Sequence, residues 1–249
     1  MNRYLIHTVL QILLFASMAM QGFCQVNEKS RAGEALKEAA AQYKATPSLS
    51  FDVKYRYADA ESPAQYLDSL KGSFKINGDN IWYQLDATET IIEKGVAVIL
   101  FQEDEIMYLS KNAPAAAQML PLQSIDSLIG HEQTEGTIRQ VASGSHITLQ
   151  FSEHPSFKSM EYYIDAKTGW ITTMRMHVKA SFLYEQSVQA LLEGEEKYVY
   201  VDIEFTNYRQ NRYGQEVFAT SKYFKREGDR VVSLPPYQHY KVFIGSPNF

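Results

Sequence analysis

The residue types that usually carry out catalysis are present in this chain, but their spacing does not match a catalytic motif. Residues 144–146 include serine and histidine, yet they lack the second glycine of a nucleophile elbow, which favours a hairpin turn. The sequence has no H-E-x-x-H pair and no two histidines at helical spacing, so it does not predict a metal site. The acidic runs at 103–105 and 193–196 do not follow a calcium-loop pattern and are interpreted as solvated turns. We therefore predict a protein that is not an enzyme and that uses no cofactor.

A second kind of chemistry, the binding of an apolar ligand, is indicated by the strand-like segment 170–178. Trp170, Met174 and Met176 share one face of this segment if it alternates with a period of two. Methionine side chains are flexible and polarizable, so a cluster of them suits an irregular apolar ligand. An ordinary core face is the simpler interpretation of the same pattern, and the sequence leaves both open.

Some predicted strands are apolar on both faces, which is unexpected for an antiparallel sheet that exposes one face to water. They are the segments 96–101, 106–109 and 198–205. Both faces must therefore be covered, or one of them must line a cavity. The second interpretation predicts a lipid-sized pocket. Its candidate lining residues are Phe51, Val53, Tyr55, Trp82, Leu100, Met107, Leu120, Ile125, Trp170, Met174 and Met176.

Sequence periodicity predicts the elements that would hold these residues. Residues 28–43 have apolar side chains at three- and four-residue spacing, which predicts an amphipathic helix. Residues 49–57 alternate between apolar and polar, which predicts a half-buried strand. Turns rich in glycine and asparagine recur along the chain, and their spacing predicts about ten to thirteen strands. Residues 118–129 predict a short helix, and residues 187–197 predict another short helix or a flap.

The first 24 residues follow the pattern of an export signal, with Arg3 before an interrupted apolar run and Cys24 after it. We predict cleavage after Cys24 and a periplasmic location, and lipid attachment at Cys24 is the alternative. The run falls short of the about 20 apolar residues that a membrane-spanning helix needs. Residues 25–249 contain no repeat or low-complexity linker, which predicts a single domain. The net charge of −5 argues against a nucleic-acid partner.

The order of these elements resembles the LolA/LolB superfamily of outer-membrane lipoprotein carriers. The resemblance is carried by residues Gly72–Ile76, Ile81–Leu85, Ile91–Gly95 and Val98–Phe101, and by the turn Asp165–Trp170. It implies a mainly β (α+β) fold, in which a curved, unclosed antiparallel β half-barrel covers an N-terminal helix and one or two short helices. It also implies an apolar cavity that takes up acyl chains.

Two functions are consistent with this sequence. In the first, a non-enzymatic periplasmic binding or carrier protein holds a lipid or a lipoprotein acyl chain in the half-barrel and makes transient contact with a membrane surface. In the second, the half-barrel has a filled core and is an envelope protein–protein interaction module or a lipid-sensing regulatory module. The two hypotheses differ in whether the half-barrel can enclose an apolar ligand.

Overall fold

The computed structural model describes residues 29, 31–111, 134–182, 197–228 and 230–246. One long helix, α1, is described over residues 29 and 31–45, in agreement with the predicted helix at 28–43. The predicted helices at 118–129 and 187–197 lie outside the described residues. The described strands are β1 (Ser48–Asp59), β2 (Tyr66–Asn77), β3 (Asn80–Leu85), β4 (Thr88–Glu93), β5 (Val96–Phe101), β6 (Ile106–Lys111), β7 (Thr134–Val141), β8 (Gly144–Phe151), β9 (Phe157–Asp165), β10 (Ile171–Lys179), β11 (Tyr198–Arg209), β12 (Phe224–Glu227), β13 (Arg230–Ser233) and β14 (Lys241–Ile244).

Twelve of these strands form one sheet, which confirms the predicted mainly β fold. Their order is β14-β6-β5-β4-β3-β2-β1-β11-β10-β9-β8-β7, and β12 pairs with β13 in a separate hairpin. The sheet is not closed in the described part of the chain, where β14 and β7 are its two edges, and it fits the predicted curved half-barrel. Most neighbours are joined by short hairpins, because the turn signals in the sequence connect strands that are consecutive in the chain.

One edge of the sheet departs from the predicted antiparallel pairing, because β14 runs parallel to β6. Parallel neighbours need a long crossover connection rather than a tight turn. Here the chain from β11 crosses one face of the sheet before it reaches the edge of β6, and the spacing of turn residues contains no sign of such a path.

The two faces of the sheet are defined by the alternation in β1. Leu49, Phe51, Val53 and Tyr55 are buried on the face that packs against α1, which we call the inner face. The residues between them are half-buried on the opposite, outer face. The predicted alternation of β1 is therefore confirmed, and α1 is one of the elements that cover the inner face.

A second apolar cluster lies on the outer face of β4, β5 and β6. Its buried members are Ile91, Val98, Leu100, Met107, Leu109 and Tyr223. Tyr223 belongs to the C-terminal segment that follows β11, and this segment also contributes partly buried tyrosines and valines to the cluster. These strands are apolar on both faces because the inner face belongs to the main core and the C-terminal segment covers the outer face.

Candidate functional site

The inner face brings together most of the residues that the sequence predicted to line a pocket. Phe51, Val53, Tyr55, Trp170 and Met174 all belong to the main cluster and are between 2% and 7% exposed. Met176 is partly buried against the same cluster. Leu120 and Ile125 lie outside the described residues.

Trp82 does not join this group, because the register of β3 turns it to the outer face. Tyr83 pairs with Phe74, which pairs with Phe51, so Tyr83 is the residue of β3 that reaches the inner face. Trp82 pairs with Lys75 and projects to the other side. Two adjacent aromatic residues in a strand must face opposite sides, and the sequence alone did not show which of them faces inward.

Leu100 and Met107 are also placed on the outer face, where they pair directly across β5 and β6. Both side chains are fully buried in the second cluster, beneath the C-terminal segment. They therefore cannot line the same space as Phe51 and Met174. Grouping them with the residues of the inner face was therefore wrong. In a strand that is apolar on both faces, periodicity does not show which side chains point inward.

A row of aromatic rings crosses the inner face at the end of the sheet where β1 begins. Phe51 stacks on Phe74, with ring centroids 5.2 Å apart, and Phe74 stacks on Tyr83 at 5.0 Å. In the other direction, Phe51 approaches Tyr208 at 5.3 Å, and Tyr208 stacks on Trp170 at 5.2 Å. Such ring pairs stabilise the core beyond the burial of their area, so this end of the inner face is well packed.

Tyr208 is a member of this row that the sequence analysis missed. The pairing of β1 with β11 shifts between Ser50 and Asp52, where β11 has an extra residue. Asn207 takes a positive φ of 55° at this bulge, a conformation that asparagine tolerates better than most residues. The bulge turns Tyr208 inward, and the asparagine near the end of β11 is the sequence signal that could have indicated it.

Helix α1 contacts the inner face mainly through small side chains. Ala32, Gly33, Leu36 and Ala39 are its buried residues, and Leu36 is the largest of them. A Cβ atom added to Gly136 of β7 would lie 3.1 Å from the Cβ atom of Ala32, so the helix approaches the sheet closely there. Alanine buries little apolar area, which limits the free energy that holds α1 on the sheet.

The C-terminal end of α1 is held by polar contacts. Gln42 Nε2 donates to the carbonyl oxygen of Thr168 at 2.5 Å, in the turn between β9 and β10. Tyr208 donates its hydroxyl to the carbonyl oxygen of Ile171 at 2.7 Å, so the 2.6 Å contact between the hydroxyls of Tyr43 and Tyr208 has Tyr43 as the donor. Both contacts fix the last turn of α1 against the sheet.

The inner face is poorly solvated, as its tyrosines indicate. Burial raises the pKa of Tyr43 to about 12. Burial also raises the pKa of Tyr55, Tyr162 and Tyr208 above the ordinary value of a tyrosine. A face that disfavours charge on four hydroxyl groups is suited to apolar groups.

The described residues provide no group of three or more histidine, cysteine, aspartate or glutamate side chains that could hold a metal ion. Among the same residues, no helix has the length and apolar character needed to cross a membrane.

Comparison with known proteins gives structural likeness only. No family model and no curated protein sequence matches this chain. An uncharacterized conserved protein from Thermus thermophilus is 10% identical, with a TM-score of 0.45 over 84% of this chain and 98% of that one. LprF from Mycobacterium bovis is 12% identical, with a TM-score of 0.36 over 73% and 94%. A LolA superfamily protein from Nitrosomonas europaea is 7% identical, with a TM-score of 0.33 over 76% and 98%. One of these distant structural likenesses is thus to a member of the LolA superfamily, which the sequence motifs also resemble.

Proposed function

We propose that this protein binds an apolar chain, such as the acyl chain of a lipid or lipoprotein, between α1 and the inner face of the half-barrel. In this proposal it is a non-enzymatic binding or carrier protein of the cell envelope. The observation that carries the proposal is the contrast between a large apolar inner face and a covering helix that contacts it through small residues, with Leu36 and Tyr43 as its two large side chains.

The energetics favour exchange of α1 for a ligand. Full burial of Leu36 contributes about 1.5–3 kcal/mol, the partly buried ring of Tyr43 contributes up to about as much, and each alanine contributes less. An acyl chain gains about 0.8 kcal/mol for each methylene group that it buries, so about 14 methylenes gain on the order of 11 kcal/mol. A chain inserted under α1 would therefore offset the loss of the contacts between α1 and the sheet.

The alternative function also has a specific observation in its favour. Phe51, Val53, Tyr55, Trp170 and Met174 are nearly inaccessible, since they pack against one another and against α1. A half-barrel that stays closed in this way would be an envelope protein–protein interaction module or a lipid-sensing regulatory module. The binding function requires α1 to leave the inner face, whereas the alternative functions do not.

A reversible disulfide bond between α1 and β7 tests the proposal. Cysteines at positions 32 and 136 would have Cβ atoms close to the separation that a disulfide requires. The variant is Ala32→Cys/Gly136→Cys in a background with Cys24→Ser, purified from a host with membranes. Native mass spectrometry with lipid extraction then reports bound acyl-bearing molecules, and added palmitate tests uptake.

We expect the oxidised variant to take up no palmitate and the reduced variant to recover uptake. Reduction of the same sample is the matched control, because it changes only the engineered disulfide. If oxidised and reduced samples both bind, the ligand does not enter beneath α1. If neither sample nor the unmodified protein binds palmitate or copurifies with lipid, the closed interaction module is the better assignment.

A further inference from the structure

One buried hydroxyl group on the inner face lacks the hydrogen bond that buried polar groups usually make. Thr90 on β4 lies directly opposite Tyr83 on β3, so its side chain belongs to the inner face, and it is 1% exposed. In the part of the chain that the structure describes, its Oγ1 atom is buried and has no hydrogen-bond partner. Most buried polar groups are paired, because an unpaired one lowers stability. The Thr90 hydroxyl is therefore free to bind a ligand.

The hydroxyl of Tyr83 is close to that of Thr90. Burial raises the pKa of Tyr83, and the Thr90 side chain offsets part of this rise. The two oxygen atoms nevertheless do not form a hydrogen bond with each other. Each hydroxyl has one proton to donate, so the pair can donate two hydrogen bonds to a single acceptor atom.

The surroundings of this pair disfavour a negatively charged acceptor. Burial raises the pKa of Tyr55 on β1, and the neighbouring hydroxyls of Tyr57 and Tyr83 raise it further. Burial also raises the pKa of Tyr57, and the carboxylate of Asp68, which lies opposite it on β2, adds to the rise. A ligand carboxylate here would lose its hydration and would lie near tyrosines that already resist ionisation. A neutral acceptor is therefore favoured.

The pair of hydroxyls lies within an apolar face. Tyr83 belongs to the main cluster and is 6% exposed, and its ring stacks on that of Phe74. A matching ligand must combine an apolar chain with an uncharged hydrogen-bond acceptor. An acyl chain that is joined to its parent molecule through an ester or an amide has both, since the carbonyl oxygen accepts hydrogen bonds and carries no charge.

We propose that the hydroxyls of Tyr83 and Thr90 donate hydrogen bonds to the ester or amide carbonyl oxygen of the bound acyl group. This assignment rests on the proposed acyl-binding function and specifies the ligand class of the same site, which is an acyl chain in ester or amide linkage. A free fatty acid can bind with its carboxylate in water at the margin of the face. Uptake of palmitate therefore does not require these two hydroxyls.

The test is a competition between 1-palmitoylglycerol and 1-O-hexadecylglycerol. These two probes have the same chain length and head group and differ only in the carbonyl oxygen, which the ether lacks. Equal amounts are added to the full chain, and native mass spectrometry reports the ratio of the two complexes. The variant Tyr83→Phe/Thr90→Val removes both hydroxyls with little change of shape. The matched control is Tyr162→Phe, which removes a buried inner-face hydroxyl that already donates to Met160 Sδ at 3.8 Å.

We expect the unmodified protein to favour the ester at least about tenfold, because the ether cannot accept the two hydrogen bonds. The double variant should bind both probes equally, and Tyr162→Phe should keep the preference. The assignment is overturned if the unmodified protein shows no preference, if the double variant keeps it, or if the control loses it. Equal uptake of both probes leaves the acyl-binding function standing, whereas uptake of neither contradicts that function as well.

The stability of the unliganded protein gives a second measurement. Because the Thr90 hydroxyl has no partner, Thr90→Val should not lower the urea concentration at which half of the protein is unfolded. Thr220→Val is the comparison, since Thr220 Oγ1 donates to Glu93 Oε2 at 2.9 Å, and its loss should lower that concentration. An equal decrease in both variants would mean that the Thr90 hydroxyl is already paired, which contradicts the assignment.

Discussion

Arg175 on β10 and Asp202 on β11 lie directly opposite each other and form a two-pronged ion pair. Arg175 Nε is 2.6 Å from Asp202 Oδ1, and Nη2 is 2.8 Å from Oδ2. The pair is the centre of a row of alternating charge across the outer face, in which Glu161, Arg175, Asp202 and Arg56 occupy opposite positions on β9, β10, β11 and β1. Opposite charges at facing positions stabilise the register of these strands.

Replacing Arg175 should destabilise the protein because Asp202 would keep a buried charge without its main partner. The Asp202 side chain is only 6% exposed, while that of Arg175 is 39% exposed. Breaking a buried pair costs about 3–5 kcal/mol, and we expect about 2–3 kcal/mol here because solvent screens the arginine. Urea denaturation of Arg175→Met measures this. Lys225→Met, which removes an exposed pair with Glu227, is the control and should cost less than about 1 kcal/mol.

The same pair predicts a loss of stability in acid. Burial by itself would raise the pKa of Asp202, but hydrogen bonds from Arg175 and Tyr66 outweigh it, and the pKa is lower than usual. The ionised carboxylate therefore stabilises the fold above the unfolded pKa of about 4, and this contribution is lost as the pH falls through the folded pKa. Asp202→Asn should have a flatter dependence of unfolding free energy on pH below about 4. Parallel curves for the two proteins would contradict this assignment.

The buried hydroxyl of Tyr43 predicts a loss of stability in alkali. Its pKa is raised to about 12, whereas an unfolded tyrosine ionises near about 10. The unfolded chain therefore releases this proton first, and the unfolding free energy should fall as the pH rises from about 10 to about 12. Tyr43→Phe should reduce the slope in this window. Absorbance at alkaline pH follows the ionisation directly, and an unchanged slope in the variant would contradict the assignment to Tyr43.

Gly72 should not tolerate a side chain, although it lies in the middle of a strand. A Cβ atom there would overlap the backbone oxygen of Gln84 and would lie 2.6 Å from Leu85 Cδ2. Gly72→Ala should cost about 3 kcal/mol or more, because backbone atoms of β3 would have to move. Gly78→Ala is the comparison, since no atom lies within 4 Å of its added Cβ and only its positive φ of 58° is strained. That change should cost about 1 kcal/mol in thermal or urea unfolding.

The cluster under the C-terminal segment should contribute to stability like an ordinary core. Met107 is fully buried there, so Met107→Ala should cost about 2–5 kcal/mol. Phe101→Ala changes a side chain that is 39% exposed and should cost about 1 kcal/mol or less. Because Met107 lies on the outer face, its replacement should leave palmitate binding unchanged at temperatures where the variant is folded. Selective loss of binding would contradict that placement.

Much of the inner face was predictable from local pattern. The strict alternation of β1 predicted that Phe51, Val53 and Tyr55 share a face, because successive side chains of a strand point to opposite sides. The same reasoning placed Met174 and Met176 together. The same reasoning failed at Trp170 and Ile171. Strict alternation would place these neighbours on opposite faces, but a bulge in the pairing of β9 and β10 leaves both of them buried.

The sequence alone was enough to predict the long helix, the prevalence of strands and the positions of many turns, since each depends on residues that are near one another in the chain. It could not assign Trp82, Leu100 and Met107 to the outer face, because that assignment depends on strand register and on a cover supplied from more than 100 positions away. The inward turn of Tyr208 and the parallel pairing of β14 were likewise decided only by tertiary structure. A side chain's face is set by the strand beside it, and long-range pairing leaves little trace in local periodicity.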